Sequence, residues 1–419
     1  MTAPLKIGLI SYRSNPHCGG QGVYIRHLSH ALSRLGHTVE VIAGPPDPLL
    51  NHTSQTSLHP AVTLTMLETL DLYNPEDLFR TPSLTELKDP INLIEWLDVS
   101  TMGYPEPLTF GMRVKKHLDE TQKRYDIIHD NQCLSYGILS LVKQMPVTAT
   151  IHHPITVDRR IAVQSTRSFL KKVKALRWYS FINMQKRVAK KLSHIITVSD
   201  SSKTDISTEF KIPESRFRAI PIGIDTQHFY PLDTVKKHPH RIIVTNSADT
   251  PLKGLYHLLL AVKAILKTRP VKLVVVGTPK RNGGIDNLVK QLDLGPHITF
   301  TGRIDHDQFV KEYAKARIAV VPSLYEGFGL PVGEAMACRI PVICTTGGAL
   351  PEVAGDAAKL VPPGSAAALE TAILELLEDP AQCETLAEKG YQRVLKEFTW
   401  EKTAIRTVDV YREVIHDYH

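Results

Sequence analysis

The stretch Tyr325-Glu326-Gly327-Phe328-Gly329-Leu330-Pro331-Val332-Gly333-Glu334-Ala335 decides how this chain is read. The apolar run from Ile318 to Pro322 leads straight into it and predicts a buried parallel strand ending in a glycine-rich turn. Beyond Pro331 the pattern turns helical, because proline suits a helix start, and Glu334 is expected in or near the first turn. A helix N-terminus presents unpaired N–H groups and a partial positive charge, which suit a phosphate or sugar hydroxyls. Glu326 and Glu334, with seven residues between them, are therefore placed to face one ligand across the turn. A capped strand–turn–helix with two solvated acids is the plain alternative. Three glycines and two acids packed around one turn favour a binding role.

Working outward, apolar runs alternate with helix-length segments, the pattern of a parallel sheet covered on both faces. In the first half the predicted strands are Ile7–Ile10, Thr38–Ala43, Ile127–His129, Val147–Ile151 and Ile195–Val198. In the second they are Arg241–Thr245, Lys272–Val276, Ile298–Phe300, Ile318–Val321 and Val342–Ile343. A chain of 419 residues suits two α/β domains rather than one core. The punctuated segment Ile220-Pro221-Ile222-Gly223-Ile224-Asp225 marks the join. The stretch from Asn51 to Gly111, proline-rich and weakly periodic, is expected to hold irregular elements. A terminal helix is expected from Glu401 to about His416.

Apolar content of 42% and charged content of 22% are those of a globular protein. The N-terminus enters a strand at once without a targeting pattern, and no apolar run nears the ~20 residues that span a bilayer. Cys18, Cys133, Cys338, Cys344 and Cys383 form no C-x-x-C pair and no metal-ligand spacing, so reduced thiols and the cytoplasm are expected. A net charge of +7 fits a nucleic acid, an anionic membrane or an anionic sugar nucleotide equally.

Glu326, seven residues, Glu334, with Gly-Phe-Gly-Leu-Pro between them, resembles the signature of the retaining nucleotide-sugar glycosyltransferases of family 4. The resemblance implies the GT-B fold: two Rossmann-like doubly wound domains facing each other across a deep cleft. It divides the chain into an acceptor domain (1–221), a donor domain (222–400) and a C-terminal helix (401–419) that crosses back to the first domain. It also implies that Glu326 bonds the donor sugar and Glu334 the nucleotide ribose, with the Gly327, Phe328, Gly329 and Leu330 backbone beside the diphosphate.

Further segments carry the resemblance. Asn246-Ser247-Ala248-Asp249-Thr250-Pro251-Leu252-Lys253-Gly254 is similar to the family's Gly-Arg…Lys-Gly segment, so Lys253 is expected to neutralise the leaving nucleotide. Ser247 falls near the place of the family's Arg, and Arg281 or Arg303 is the candidate substitute for that charge. Thr301-Gly302-Arg303-Ile304 resembles the base-seating segment. Gly19 and Gly20, in the first βα turn, match a Gly-Gly turn close to the donor. Thr150-Ile151-His152-His153 ends a strand, where ligands gather in such folds, and His152 matches the position facing the donor sugar. His129, Arg159 and Arg160 are acceptor-side candidates.

From Arg167 to Lys191 there are nine basic residues and no acidic one. Read as helix, Phe169, Leu170, Val173 and Leu176 share one face. A core-facing helix with a solvated basic side is the default, and peripheral contact with an anionic membrane the alternative. The reading as a whole is a hexosyltransferase working on a nucleoside-diphosphate sugar by front-face attack, with no metal or cofactor expected. Its acceptor would be a carbohydrate, a lipid-linked glycan or a small anion. A nucleotide-sugar epimerase, a sugar-nucleotide-binding protein without turnover and a nucleic-acid-binding module are the rivals. The last leaves the Glu326–Glu334 segment unexplained, so no nucleic-acid partner is expected.

Overall fold

The computed structural model describes residues 3–14, 20–48, 50, 62–74, 77, 80–164, 166, 168–245 and 249–419. They form two compact units. Unit 1 comprises Met1–Val198, Ser202–Ile220 and Thr403–His419, and unit 2 comprises Ser199–Ser201 and Pro221–Lys402.

Unit 1 is built on β1 (Lys6–Ser11), β2 (Thr38–Ala43), β3 (Val62–Met66), β4 (Ile127–Asn131), β5 (Val147–Ile151), β6 (Ile195–Thr197) and β7 (Phe217–Ala219). They make one parallel seven-stranded sheet in the order β3-β2-β1-β4-β5-β6-β7. Its helices are α1 (Gly20–Arg34), α2 (Pro90–Ser100), α3 (Glu106–Thr121), α4 (Tyr136–Leu141), α5 (Thr156–Gln164), α6 (Phe169–Trp178), α7 (Ile182–Ala189) and, from Ser202 onward, α8 (Asp200–Phe210). The strands are short Val/Ile runs because both faces are covered: every residue of β4 and β5 is buried. Each Val or Ile side chain taken from water there contributes about 1.5–3 kcal/mol.

Unit 2 repeats the plan with β8 (Arg241–Thr245), β9 (Lys272–Val276), β10 (Ile298–Phe300), β11 (Ile318–Val321), β12 (Val342–Thr345) and β13 (Ala358–Val361). The parallel order is β10-β9-β8-β11-β12-β13. Here lie α9 (Leu255–Ile265), α10 (Gly284–Gln291), α11 (His306–Lys315), α12 (Leu330–Ala337), α13 (Leu350–Ala354), α14 (Ala366–Glu378) and α15 (Pro380–Glu397). The last helix, α16 (Trp400–Tyr418), belongs to unit 1 from Thr403 onward and buries Ala404, Val408, Tyr411 and Val414 there.

Both sheets reverse direction once. In unit 1 the chain runs β1, β2, β3 outward and returns to lay β4 beside β1. In unit 2 it runs β8, β9, β10 and returns to lay β11 beside β8. At such a reversal the loops leaving two neighbouring strands part to opposite faces and open a crevice at the carboxyl ends.

The structure corrects two expectations. The Asn51–Gly111 stretch, where described, holds β3, α2 and the start of α3 as well as the expected irregular chain, which runs between β3 and α2. Its prolines start helices: Pro90 opens α2, and the Asp89 carboxylate caps it by accepting from Ile91 N–H at 2.7 Å. The segment beyond Arg167 is not one core-facing helix. α6 ends at Trp178 and α7 starts at Ile182, and no residue of α6 is buried. Arg167 itself lies outside the described residues.

Candidate functional site

In unit 2 the reversal brings two loops together. The β8–α9 loop carries Lys253 and the β11–α12 loop carries Glu326. Leu324 N–H donates to Leu252 O at 2.7 Å and fastens one loop to the other. Gly254 turns the first loop into α9 at φ 68°, and a Cβ at that position would overlap the Pro322 carbonyl oxygen. That close approach sets Lys253 Nζ 2.8 Å from Glu326 Oε1, where Ser323 Oγ also donates at 2.7 Å. The Glu326 side chain is largely buried and Lys253 half-buried. The Glu326 backbone is held as firmly, paired with Gly348 and accepting from Ala349 N–H at 2.9 Å.

The glycine-rich turn then starts α12. Gly329, at φ 105°, is the N-cap, Val332 N–H closes on its carbonyl at 3.0 Å, and Phe328 packs edge-on against Phe398. Glu334 falls just beyond the first turn, which contains no acid. Burial pushes its carboxyl up to about 7, and the positive charge of Lys253 opposes that rise. One ammonium thus serves two acids, pairing directly with Glu326 and acting through space on Glu334.

The other residues expected in this half-site lie apart from that cluster. Arg303 is exposed and Ile304 half-buried, after β10 at the sheet edge, where Gly302 N–H meets Gly277 O at 3.3 Å. Arg281 is exposed next to Lys280, whose N–H donates to Asp249 in the β8–α9 loop at 2.5 Å. Ser247 lies outside the described residues.

In unit 1, His152 stands at the carboxyl end of β5. Its Nε2 is 2.7 Å from Asn131 Oδ1, while Asn131 Nδ2 donates to Ser11 Oγ and Gln21 O, each at 3.2 Å. An amide oxygen only accepts, so the imidazole proton sits on Nε2 and Nδ1 carries the lone pair. Nδ1 is buried and has no hydrogen-bond partner among the described residues. The backbone N–H of His152 donates to Gln132 Oε1 at 2.8 Å, and Tyr24 packs edge-on to the ring at 4.9 Å. Burial, with His153 and His129 nearby, lowers the His152 pKa to about 3, so the ring is neutral at physiological pH.

His129 is fully buried, with Nδ1 2.6 Å from Tyr411 OH and Nε2 2.6 Å from Thr150 Oγ1. Both nitrogens are spent tying β4 to α16 and β5, which leaves none for an acceptor; the expectation for His129 is corrected to a structural role. On α5, Arg159 is half-buried, and Arg160 is exposed and 3.4 Å from Glu209. His153 pairs with Asp158 at 2.8 Å. Gly20 is exposed at the start of α1, with open space where a Cβ would stand. Gly19 and Cys18 lie outside the described residues.

Sequence reading missed Asn131, Gln132 and Tyr24, which hold His152, and Ser323, which holds Glu326. The polar run His129-Asp130-Asn131-Gln132 at the end of an apolar strand was the available signal for the first two. Nothing in the local pattern marks Tyr24, whose partners Thr150 and His152 lie more than a hundred residues away, or Ser323, whose partner Glu326 is three residues on in the same loop.

Residues 18–228 match the family described as Glycosyltransferase Family 4, and residues 230–393 match Glycosyl transferases group 1. The chain is 41% identical over 415 residues to an MMP alpha-(1->4)-mannosyltransferase of Mycolicibacterium hassiacum, covering 98% of each. It is 29% identical over 213 residues to a GDP-mannose-dependent monoacylated alpha-(1-6)-phosphatidylinositol monomannoside mannosyltransferase of Corynebacterium glutamicum, covering 46% of this chain and 55% of that one. Among solved structures, the sucrose-phosphate synthase of Thermosynechococcus elongatus superposes with a TM-score of 0.73 at 26% identity, covering 98% of this chain and 99% of that one.

Proposed function

The chain belongs to the GT-B glycosyltransferases of family 4, and on that premise we propose that it moves a mannosyl residue from a nucleoside-diphosphate sugar to an acceptor hydroxyl, with retention at the anomeric carbon. The observation that carries this reading is the cluster of Lys253, Glu326 and Glu334 at the reversal of the second sheet. The mannosyl assignment follows the two relatives named above, both mannosyltransferases by name.

Lys253 is the cation for the donor diphosphate. Glu326 pairs with that ammonium, so a diphosphate bound to Lys253 competes with a carboxylate and frees Glu326 to accept from a sugar hydroxyl. Glu334 as carboxylate accepts from the ribose hydroxyls. His152 offers a lone pair at Nδ1, which suits a hydroxyl of the transferred sugar. The acceptor oxygen attacks the anomeric carbon on the face from which the phosphate departs. The carbon–phosphate oxygen bond breaks, and the acceptor's proton passes to that phosphate oxygen. Lys253 and the backbone N–H groups at the start of α12 stabilise the charge on the leaving diphosphate. No metal is required in this scheme. Arg159 and Arg160 are the proposed contacts for an anionic acceptor. The free, buried thiols Cys133, Cys338, Cys344 and Cys383 suit a reducing cytoplasmic setting.

The test is release of nucleoside diphosphate from GDP-, UDP- and ADP-sugars with mannoside acceptors in the presence of a chelator, with the product anomer read by NMR. We expect transfer with an α-linked product, and a fall of about 10²–10³ in kcat/KM for Lys253→Ala. Donor binding without release under every acceptor would favour a sugar-nucleotide-binding protein. An epimeric sugar formed without acceptor would favour an epimerase.

A further inference from the structure

α6 turns its apolar stripe to solvent. Phe169 and Leu170 are 76% and 78% exposed, Val173 43% and Leu176 51%. Their i, i+1, i+4, i+7 spacing places them on one helical face. Lys171 and Lys174 are exposed beside that face, and Lys172 is half-buried. The helix is anchored at its C-terminal end, where Trp178 stacks on Tyr104 at 5.0 Å and meets Tyr73 edge-on at 5.5 Å.

Arg177 joins this end of α6 to the end of α2. Its guanidinium pairs with Asp98 and donates to Thr101 Oγ1 at 2.9 Å. α2 carries an exposed stripe of its own, Leu93, Ile94 and Leu97, again spaced i, i+1, i+4. A monomer gains nothing by hydrating neighbouring stripes of this kind, and such surfaces mark interaction sites.

We propose that α6, with α2 beside it, docks unit 1 on the surface of an anionic lipid bilayer. Phe169 and Leu170 enter the acyl boundary, and Lys171 and Lys174 meet lipid phosphates. Charge complementarity selects this occupant. Residues 167–191 carry nine basic and no acidic side chains, and Arg187, Lys190 and Lys191 extend the exposed positive surface beyond α6. Asp98 neutralises Arg177, but Lys171 and Lys174 take part in no ion pair among the described residues. A second copy packed symmetrically on the same face would set these lysines against themselves. A small soluble phosphate would leave the apolar stripe uncovered. An anionic bilayer satisfies both, because lipid phosphates attract the lysines while the acyl boundary takes up the apolar stripe.

The experiment is co-sedimentation of the full chain with phosphatidylcholine vesicles, with and without about one-third phosphatidylglycerol. Binding is expected only with phosphatidylglycerol and weakens as salt rises from about 0.1 M to about 0.5 M, because lipid charge is screened over a shorter distance. Phe169→Ser/Leu170→Ser and, separately, Lys171→Glu/Lys174→Glu are each expected to lower the partition coefficient by about tenfold or more. Both variants are expected to keep the wild-type melting curve and turnover of a soluble acceptor. Absence of binding to anionic vesicles, or equal binding by both variants, overturns the proposal. So does a concentration-dependent dimer, seen by light scattering and abolished by Phe169→Ser/Leu170→Ser, in a protein that ignores vesicles.

Discussion

Glu334 has a carboxyl whose pKa lies within the working pH range, and its effect on binding has a definite sign. Burial raises it from the ordinary carboxylic value to about 7. The proton is favoured in the free folded protein, so this group costs stability progressively as pH rises from the unfolded value through about 7. Ribose hydroxyls prefer the carboxylate, so affinity for a sugar nucleotide moves the other way. With half-titration at about 7, the carboxylate fraction changes about tenfold between roughly pH 8 and roughly pH 6. Calorimetry with the sugar nucleotide, whose diphosphate carries no proton in that range, is therefore expected to show about tenfold weaker binding at the lower pH. Glu334→Gln should flatten the profile; an unchanged slope in that variant would take Glu334 out of the ribose site. Glu326, Glu334, Lys253 and His152 were all legible from short motifs. Asn131, which sets the tautomer of His152, was not, because its role rests on hydrogen bonds to Ser11 and Gln21, more than a hundred residues away.

Strands buried on both faces were legible because a continuous Val/Ile run has few other uses. The three strands that escaped, β3, β7 and β13, all lie at sheet edges, where burial is partial and the apolar signal weak. Helix starts at Pro90 and Pro107 were hidden by reading proline as punctuation. The loop between β8 and α9 shows how much one turn decides. At Gly254 an added Cβ costs about 1–2 kcal/mol for the left-handed backbone and must also displace the Pro322 carbonyl. Gly254→Ala is expected to destabilise by about 2–4 kcal/mol in denaturant unfolding. It should also lower kcat/KM, since Lys253 is the next residue. A loss under about 1 kcal/mol with full activity would show that the two loops are not locked together as described.

At the scale of the molecule, α16 lends unit 1 the buried side chains of Ala404, Val408, Tyr411 and Val414, and Tyr411 OH is the partner of His129 Nδ1. Removing Thr403–His419 forfeits about 1.5–3 kcal/mol for each large apolar side chain and leaves a buried imidazole nitrogen unpaired. That sum is comparable with the whole stability of a typical domain. Circular dichroism melting of the shortened chain is expected to show loss of the unit 1 transition; an unshifted curve would contradict the packing. The sequence by itself determined the two parallel α/β units, the glycine-rich turn and the residue types able to grip a sugar nucleotide, because strand burial and helix starts are local effects of a few residues. Only the tertiary structure decided that Lys253 and Glu326 form one ion pair, that Glu334 titrates near neutrality, that His129 is spent in the core and that α6 faces water. Each of those depends on which strands lie side by side and on which groups lose their water, and neither is encoded within one segment of chain.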